Sequence, residues 1–368
     1  MPIFVTRPNL PPMEDYFQIL HEIWDSAILT NNGPYHQKLE GKLADYLEVP
    51  YLSLVSNATL GLLLALKVLD LHGEVITTPY SFVATAHSIL WNNLTPRFVD
   101  IDACTLNITP GSVKRAITDK TAAIMPVHVY GTPCDVNGFE ALEKETGLPL
   151  VYDAAHAFAV KAAGRSIVQY GDLSVLSFHA TKMYTTIEGG AVICKTPELK
   201  REIDLLKNFG IVDEVTVCRV GINAKMNELQ AAAGLASLPY VEEARHKRAV
   251  ADALYRRHLG DIPGLSPLQI FDDVNANYSY FPVFISSEAP VARDRLYTVL
   301  QSEGIFSRRY FYPLISQFPM YANAPGASPE NLPVAAKVSG EILCLPLYHS
   351  LCHQEVIRIC GIIRNTLS

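Results

Sequence analysis

LVYDAAH at 150–156 and SVLSFHATK at 174–182 are the stretches that decide the fold. Each opens on a short apolar run and breaks off into polar residues: Leu150, Val151 and Tyr152 lead to Asp153, and the run from Ser174 to Phe178 leads to His179, Thr181 and Lys182. Short apolar runs bounded by turn signals read as strands buried on both faces of a parallel sheet. Such sheets bind ligands outside the carboxyl ends of their strands. A carboxylate and a lysine are therefore delivered to the rim where an α/β sheet does its chemistry.

Reading outward, the same alternation runs from residue 50 to about 195. Strands are expected at 52–55, 74–77, 97–100, 122–127, 148–152, 174–178 and 191–194, which makes a sheet of seven. Helical patterns fall between and after them at 59–69, 82–91, 109–116, 137–144 and 197–208. The fold class is thus α/β with a mostly parallel sheet. A long helical stretch at 225–259 breaks near Pro239, which suggests a boundary. Residues 1–240 then form a large domain, and 241–368 a smaller α+β domain with strands at 278–285 and 304–310 and helices at 292–303 and 353–365.

Composition excludes several classes. With 368 residues, 49% hydrophobic and 18% charged, the chain has the make-up of a well-buried globular protein. The opening MPIFVTRPNLPPMEDYF carries no continuous apolar stretch and lacks the parts of a secretory signal, so a cytosolic protein is expected. The apolar run 60–66 is far too short to span a bilayer. Seven cysteines without CxxC spacing read as reduced thiols, and the histidines form no HExxH, so no metal site is expected. A net charge of −7 argues against broad binding of nucleic acid, and an anionic substrate would need a local cationic pocket.

Four strand ends carry candidate chemistry. At 55–60, VSNATL turns a strand into a helix N-terminus, where free amides and the Thr59 hydroxyl would cradle a phosphate; Ser56 or Asn57 serves equally as an ordinary N-cap. An ionised Asp153 beside a pyridine nitrogen would keep that nitrogen protonated and make the ring an electron sink, although helix capping explains an Asp here as well. His156 could donate to a phenolic oxygen of the same ring. Lys182, set in a polar turn with Ser177, His179 and Thr181 and followed by Gly189-Gly190, can be desolvated into a nucleophilic amine. In YSFVAT at 80–85, Phe82 could stack on a flat heteroaromatic, or simply be core.

These segments, with TTPYSFVATAHSILW at 77–91, FVDIDACTLNI at 98–108, MPVHVYGTPCDV at 125–136, EGGAV at 188–192, NAKMNELQAA at 223–232, RRYFYPL at 308–314 and CLPL at 344–347, make the chain resemble the DegT/DnrJ/EryC1/StrS family of sugar aminotransferases from about Asn9 to the C-terminus. The resemblance implies the fold-type I, aspartate-aminotransferase-like architecture and pyridoxal 5'-phosphate as cofactor. It makes Lys182 the lysine that carries the cofactor, Asp153 the partner of the ring nitrogen and His156 the neighbour of the phenolic oxygen. Ser177, Thr59 and the amides around Ala58 and Leu60 would hold the phosphate, with Phe82 on the ring. A homodimer is implied, in which Asn223 and Lys225 reach the neighbouring subunit's site. Two positions depart from the common pattern: Ala58 stands where many relatives have Gly, and Met183 where Asn is common.

The same resemblance implies L-glutamate as amino donor and a nucleotide-linked keto-sugar as acceptor, most similar to enzymes that convert dTDP-4-dehydro-6-deoxyglucose to dTDP-4-amino-4,6-dideoxyglucose for O-antigen or related glycans. A 3-keto-sugar or a UDP- or GDP-sugar stands as the alternative. Arg308 and Arg309 are candidates for the substrate diphosphate, lined by Tyr310 and Tyr312, or else a solvated basic strand end. A sugar dehydratase on this fold would carry histidine in place of Lys182, and a non-catalytic binder would not need that lysine.

Overall fold

The computed structural model describes residues 2–368. Its central sheet runs in the order Thr95–Phe98, Glu74–Thr77, Thr121–Met125, Val151–Asp153, Leu173–Ser177, Gly190–Cys194 and Leu52–Val55. Parallel bridges Ile124 to Leu150 and Val127 to Asp153 join its three-stranded and four-stranded parts. Gly190–Cys194 is antiparallel to both its neighbours, and the remaining pairings are parallel. This is the mixed, mostly parallel seven-stranded sheet expected from the sequence.

Side chains alternate across the pleat, and both faces are covered. Leu52, Leu54, Leu176, Ala191 and Ile193 face a cluster with Leu39 and Leu43 of helix Pro34–Leu47 and Ala231 and Leu235 of helix Glu228–Ser237. Val55, Val75, Val151, Val175 and Val192 face the other way, against Leu62 and Leu66 of helix Ala58–Lys67 and Ile203 and Leu206 of helix Pro197–Leu206. Gly61 lets the first of those helices close on the sheet, because a Cβ there would sit 2.9 Å from Val175.

The C-terminal part centres on the antiparallel sheet Leu265–Pro267, Phe281–Ile285 and Ile342–Leu345. Helices Val241–Leu259, Arg293–Ser302 and His353–Leu367 pack on it around Tyr255, Leu296 and Ile359. The break expected near Pro239 is a short 3-10 turn, Leu238–Tyr240. The strand expected at 304–310 is shorter: Ile305–Phe306 pairs with Ile3–Phe4, and only a bridge from Arg308 to Cys344 continues it. Two N-terminal helices, Met13–Ser26 and Pro34–Leu47, lie outside the expected elements. Among the described residues no helix is long and apolar enough to cross a membrane.

Candidate active site

A cavity of about 690 Å³ opens at the carboxyl ends of the central strands, and Asp153, Ser177 and Lys182 all line it. Asp153 and Ser177 are each the last residue of their strands. The backbone amide of Asp153 donates to Pro126 O at 2.9 Å, which fixes where the side chain leaves the sheet. Its carboxylate accepts Thr85 Oγ1–H at 2.7 Å on one oxygen and the Ala155 amide at 3.1 Å on the other. Burial pushes this carboxyl up, while Thr85, Ala155 and the Lys182 charge work in the opposite direction. Thr85 in turn shares a 2.8 Å hydrogen bond with the hydroxyl of Ser81, and all three side chains are buried.

Lys182 sits in the turn after strand Leu173–Ser177, held by its amide to His179 O at 2.9 Å. Burial lowers its amine to about 8 against the pull of Asp153, so roughly a tenth of it is neutral at pH 7, far more than for an ordinary lysine. Its Nζ donates to Tyr280 Oη at 3.3 Å. His156 accepts the Tyr130 amide on Nδ1 at 3.1 Å, which leaves Nε2 to carry the ring proton. Burial and the Lys182 charge hold this imidazole well below its usual range, hence neutral. The ring lies parallel to Phe311 at 6.0 Å and edge-on to Tyr280 at 4.9 Å.

At the head of helix Ala58–Lys67, the amides of Ala58 and Thr59 have no intrahelical acceptor. Leu60 departs from the expectation: Asn57 caps the helix and takes the Leu60 amide at 2.9 Å, so that amide is not free for an anion. N-capping thus occupies the third amide of this turn and leaves the first two without a side-chain cap. Gly190 makes room for the turn, since a Cβ there would lie 2.9 Å from the Ala58 nitrogen. Phe82 lines the cavity and is 59% exposed, so its ring is a wall and not core.

The residues expected at the substrate do not all converge. Tyr310 lines the cavity, and the Arg308 charge acts on its phenol. Arg309 does not line it: its guanidinium pairs with Asp294 at 3.0 Å and lies over Tyr297 at 4.6 Å and Tyr312 at 5.1 Å. Tyr312 belongs to that same outer cluster, with Arg293 over its ring at 4.8 Å. Arg308 is exposed and does not line the cavity either. Asn223 is exposed, and Lys225 donates to Asn208 at 2.7 Å beside a different cavity of about 430 Å³. Neither lines the 690 Å³ cavity, yet Ala224 between them accepts the Ser56 amide at 2.8 Å, so their loop is tied to the back of the turn that opens helix Ala58–Lys67.

The sequence reading missed Tyr280, Phe311 and Glu188, which line the cavity, and Thr85, Tyr130 and Gln230, which bond to residues that do. Gln230 bridges Ser56 O at 3.2 Å and Glu188 O at 2.8 Å, stitching two sides of the site together. Chemically, the arrangement offers an anion cradle, an aromatic wall, a buried carboxylate and a partly neutral amine around one space.

Comparison with known proteins agrees with this chemistry. The model of the DegT/DnrJ/EryC1/StrS aminotransferase family matches residues 13–364. A dTDP-4-amino-4,6-dideoxy-D-glucose transaminase of Shigella dysenteriae is 47% identical over 99% of both chains, and one of Escherichia coli is 46% identical over 96% of both. The crystal structure of DesI in the presence of its TDP-sugar product superposes with a TM-score of 0.94 at 35% identity, covering 99% of this chain and 92% of the other. The protein is therefore an enzyme and belongs to the DegT/DnrJ/EryC1/StrS aminotransferase family.

Proposed function

We propose that the enzyme uses pyridoxal 5'-phosphate to move the amino group of L-glutamate onto dTDP-4-dehydro-6-deoxy-D-glucose, giving dTDP-4-amino-4,6-dideoxy-D-glucose. The observation that carries the chemistry is the partly neutral Lys182 amine sharing one cavity with the buried Asp153 carboxylate. The sugar rests on the 47% identity to a transaminase named for that product. The residues present fit the cofactor: Asp153 suits a ring nitrogen, Phe82 a ring face, and the Ala58–Thr59 turn a phosphate that Gly190 leaves room for.

Bound there, pyridoxal phosphate supplies an electron sink and a carbonyl that exchanges amines. Asp153 holds the proton on the ring nitrogen, aided by the donors from Thr85 and Ala155. His156 presents Nε2–H to the phenolic oxygen. Ser177, Thr59 and the Ala58 and Thr59 amides bind the phosphate. Lys182, the one lysine among the described residues that line the cavity, would hold the cofactor through its amine and, when free of it, would serve as the base that moves a proton at the donor's Cα. The second half-reaction returns the amino group to the ketone, and ping-pong kinetics result.

Two such chains form a homodimer in this reading, with residues 1–240 as the cofactor-binding unit, 241–368 as the smaller one, and Asn223 and Lys225 serving the other subunit's site. Its support is the exposed apolar surface beside that loop, where Phe209 is 46%, Val215 91% and Val220 87% exposed.

The test is an amino-transfer assay with L-glutamate against dTDP-, UDP- and GDP-linked 3- and 4-keto-sugars. Turnover confined to the dTDP-4-keto-sugar is expected. Preference for a 3-keto-sugar or another nucleotide would replace the substrate, and turnover by Lys182→Ala would overturn the mechanism.

A further inference from the structure

Tyr280 stands one residue ahead of strand Phe281–Ile285 in the C-terminal sheet, yet its hydroxyl comes within 3.3 Å of Lys182 Nζ, 98 residues away in the chain. Its ring is held on three sides: edge-on to His156 at 4.9 Å, tilted against Tyr130 at 5.4 Å and edge-on to Tyr310 at 6.0 Å. It lines the same cavity as Lys182, and no step derived above uses it. The hydrogen bond runs from Lys182 Nζ–H to the Tyr280 oxygen, and burial keeps that phenol protonated. A freed lysine swings on a flexible four-carbon stem, and an acceptor on a locked ring gives the amine one place to wait.

We infer that Tyr280 is a positioning residue whose hydroxyl holds the Lys182 amine, with its lone pair towards the cavity, while the lysine is not joined to the cofactor. This rests on the function proposed above. The other titratable groups around the cavity are Asp153, His156, His179, Glu188 and Tyr310, and the Arg248 guanidinium acts on Tyr280.

The test uses Y280F, which removes one oxygen and keeps the packed ring, with Y280A as the packing control. A hydrogen bond favours the ammonium over the neutral amine. Without it, the pH midpoint for uptake of pyridoxal phosphate by the apoenzyme falls by about one pH unit in Y280F. The single-turnover rate with L-glutamate falls about tenfold, while the cofactor's dissociation constant at high pH and the melting temperature stay at parental values. A pure packing role leaves Y280F like the parent and damages only Y280A, which overturns the inference. A Y280F variant that fails to fold also overturns it, since the oxygen would then serve the fold. A parent that takes up no cofactor overturns the proposed function as well; a parent that does, with an unmoved Y280F midpoint, overturns only the role of Tyr280.

Discussion

Replacing Thr85 with valine removes the hydroxyl that donates to Asp153 at 2.7 Å while keeping nearly the same shape in a fully buried position. A hydrogen bond to a charged group contributes about 1.5–3 kcal/mol, and one pKa unit corresponds to about 1.4 kcal/mol. Asp153 in T85V therefore gains roughly one to two units of proton affinity, on top of the upward push that burial already exerts. A carboxyl that holds its own proton no longer keeps one on the ring nitrogen, so the electron sink weakens. The single-turnover rate with L-glutamate should fall about tenfold to a hundredfold, with little change in the binding of L-glutamate. The ¹⁵N signal of labelled cofactor should move towards the unprotonated position. Ser81 loses its 2.8 Å partner in the same variant, so S81A measures how much of the effect is its own. A T85V enzyme with parental rate and a protonated ring nitrogen would refute the reasoning.

Other outcomes follow from the same geometry. Because burial lowers the Lys182 amine to about 8, the neutral, nucleophilic form grows as pH rises through that value, and uptake of pyridoxal phosphate by the apoenzyme should accelerate from pH 6 to 9 by roughly a hundredfold; a flat profile would contradict this. Gly190→Ala places a Cβ 2.8 Å from Leu176 O and 2.9 Å from the Ala58 nitrogen, so it should weaken cofactor binding and cost about 1–3 kcal/mol in denaturant unfolding, whereas parental affinity would show that the turn yields. Arg308→Ala should raise KM for the nucleotide sugar roughly tenfold while Arg309→Ala leaves it unchanged, and the reverse pattern would place the wrong arginine at the substrate.

Much of the site was legible because its chemistry sits where strands stop. Asp153 and Ser177 end strands whose apolar runs are short and bounded, and the pattern locates them without knowledge of strand order. Thr85 and Tyr280 could not be found that way. Each is an ordinary residue type, and their partners lie 68 and 98 residues away, so only the packed sheet and its C-terminal cover bring them together. The Leu60 amide was misassigned because a cap and a phosphate cradle share one signature, and hydrogen-bond geometry alone separates them. Arg308 and Arg309 read alike in the sequence, and only the folded chain shows Arg309 paired with Asp294 and Arg308 exposed, with neither lining the cavity. Helix Met13–Ser26 went unread although Tyr16, Ile19, Leu20, Ile23 and Trp24 recur along it at helical spacing.

The most direct test of the account is borohydride reduction of the cofactor-loaded enzyme, which fixes pyridoxal phosphate to whichever amine carries it, followed by peptide mass mapping. The modification should fall on Lys182 alone and vanish if L-glutamate is added before the reductant. A label on another lysine, or a label on Lys182 that L-glutamate does not remove, would contradict the account.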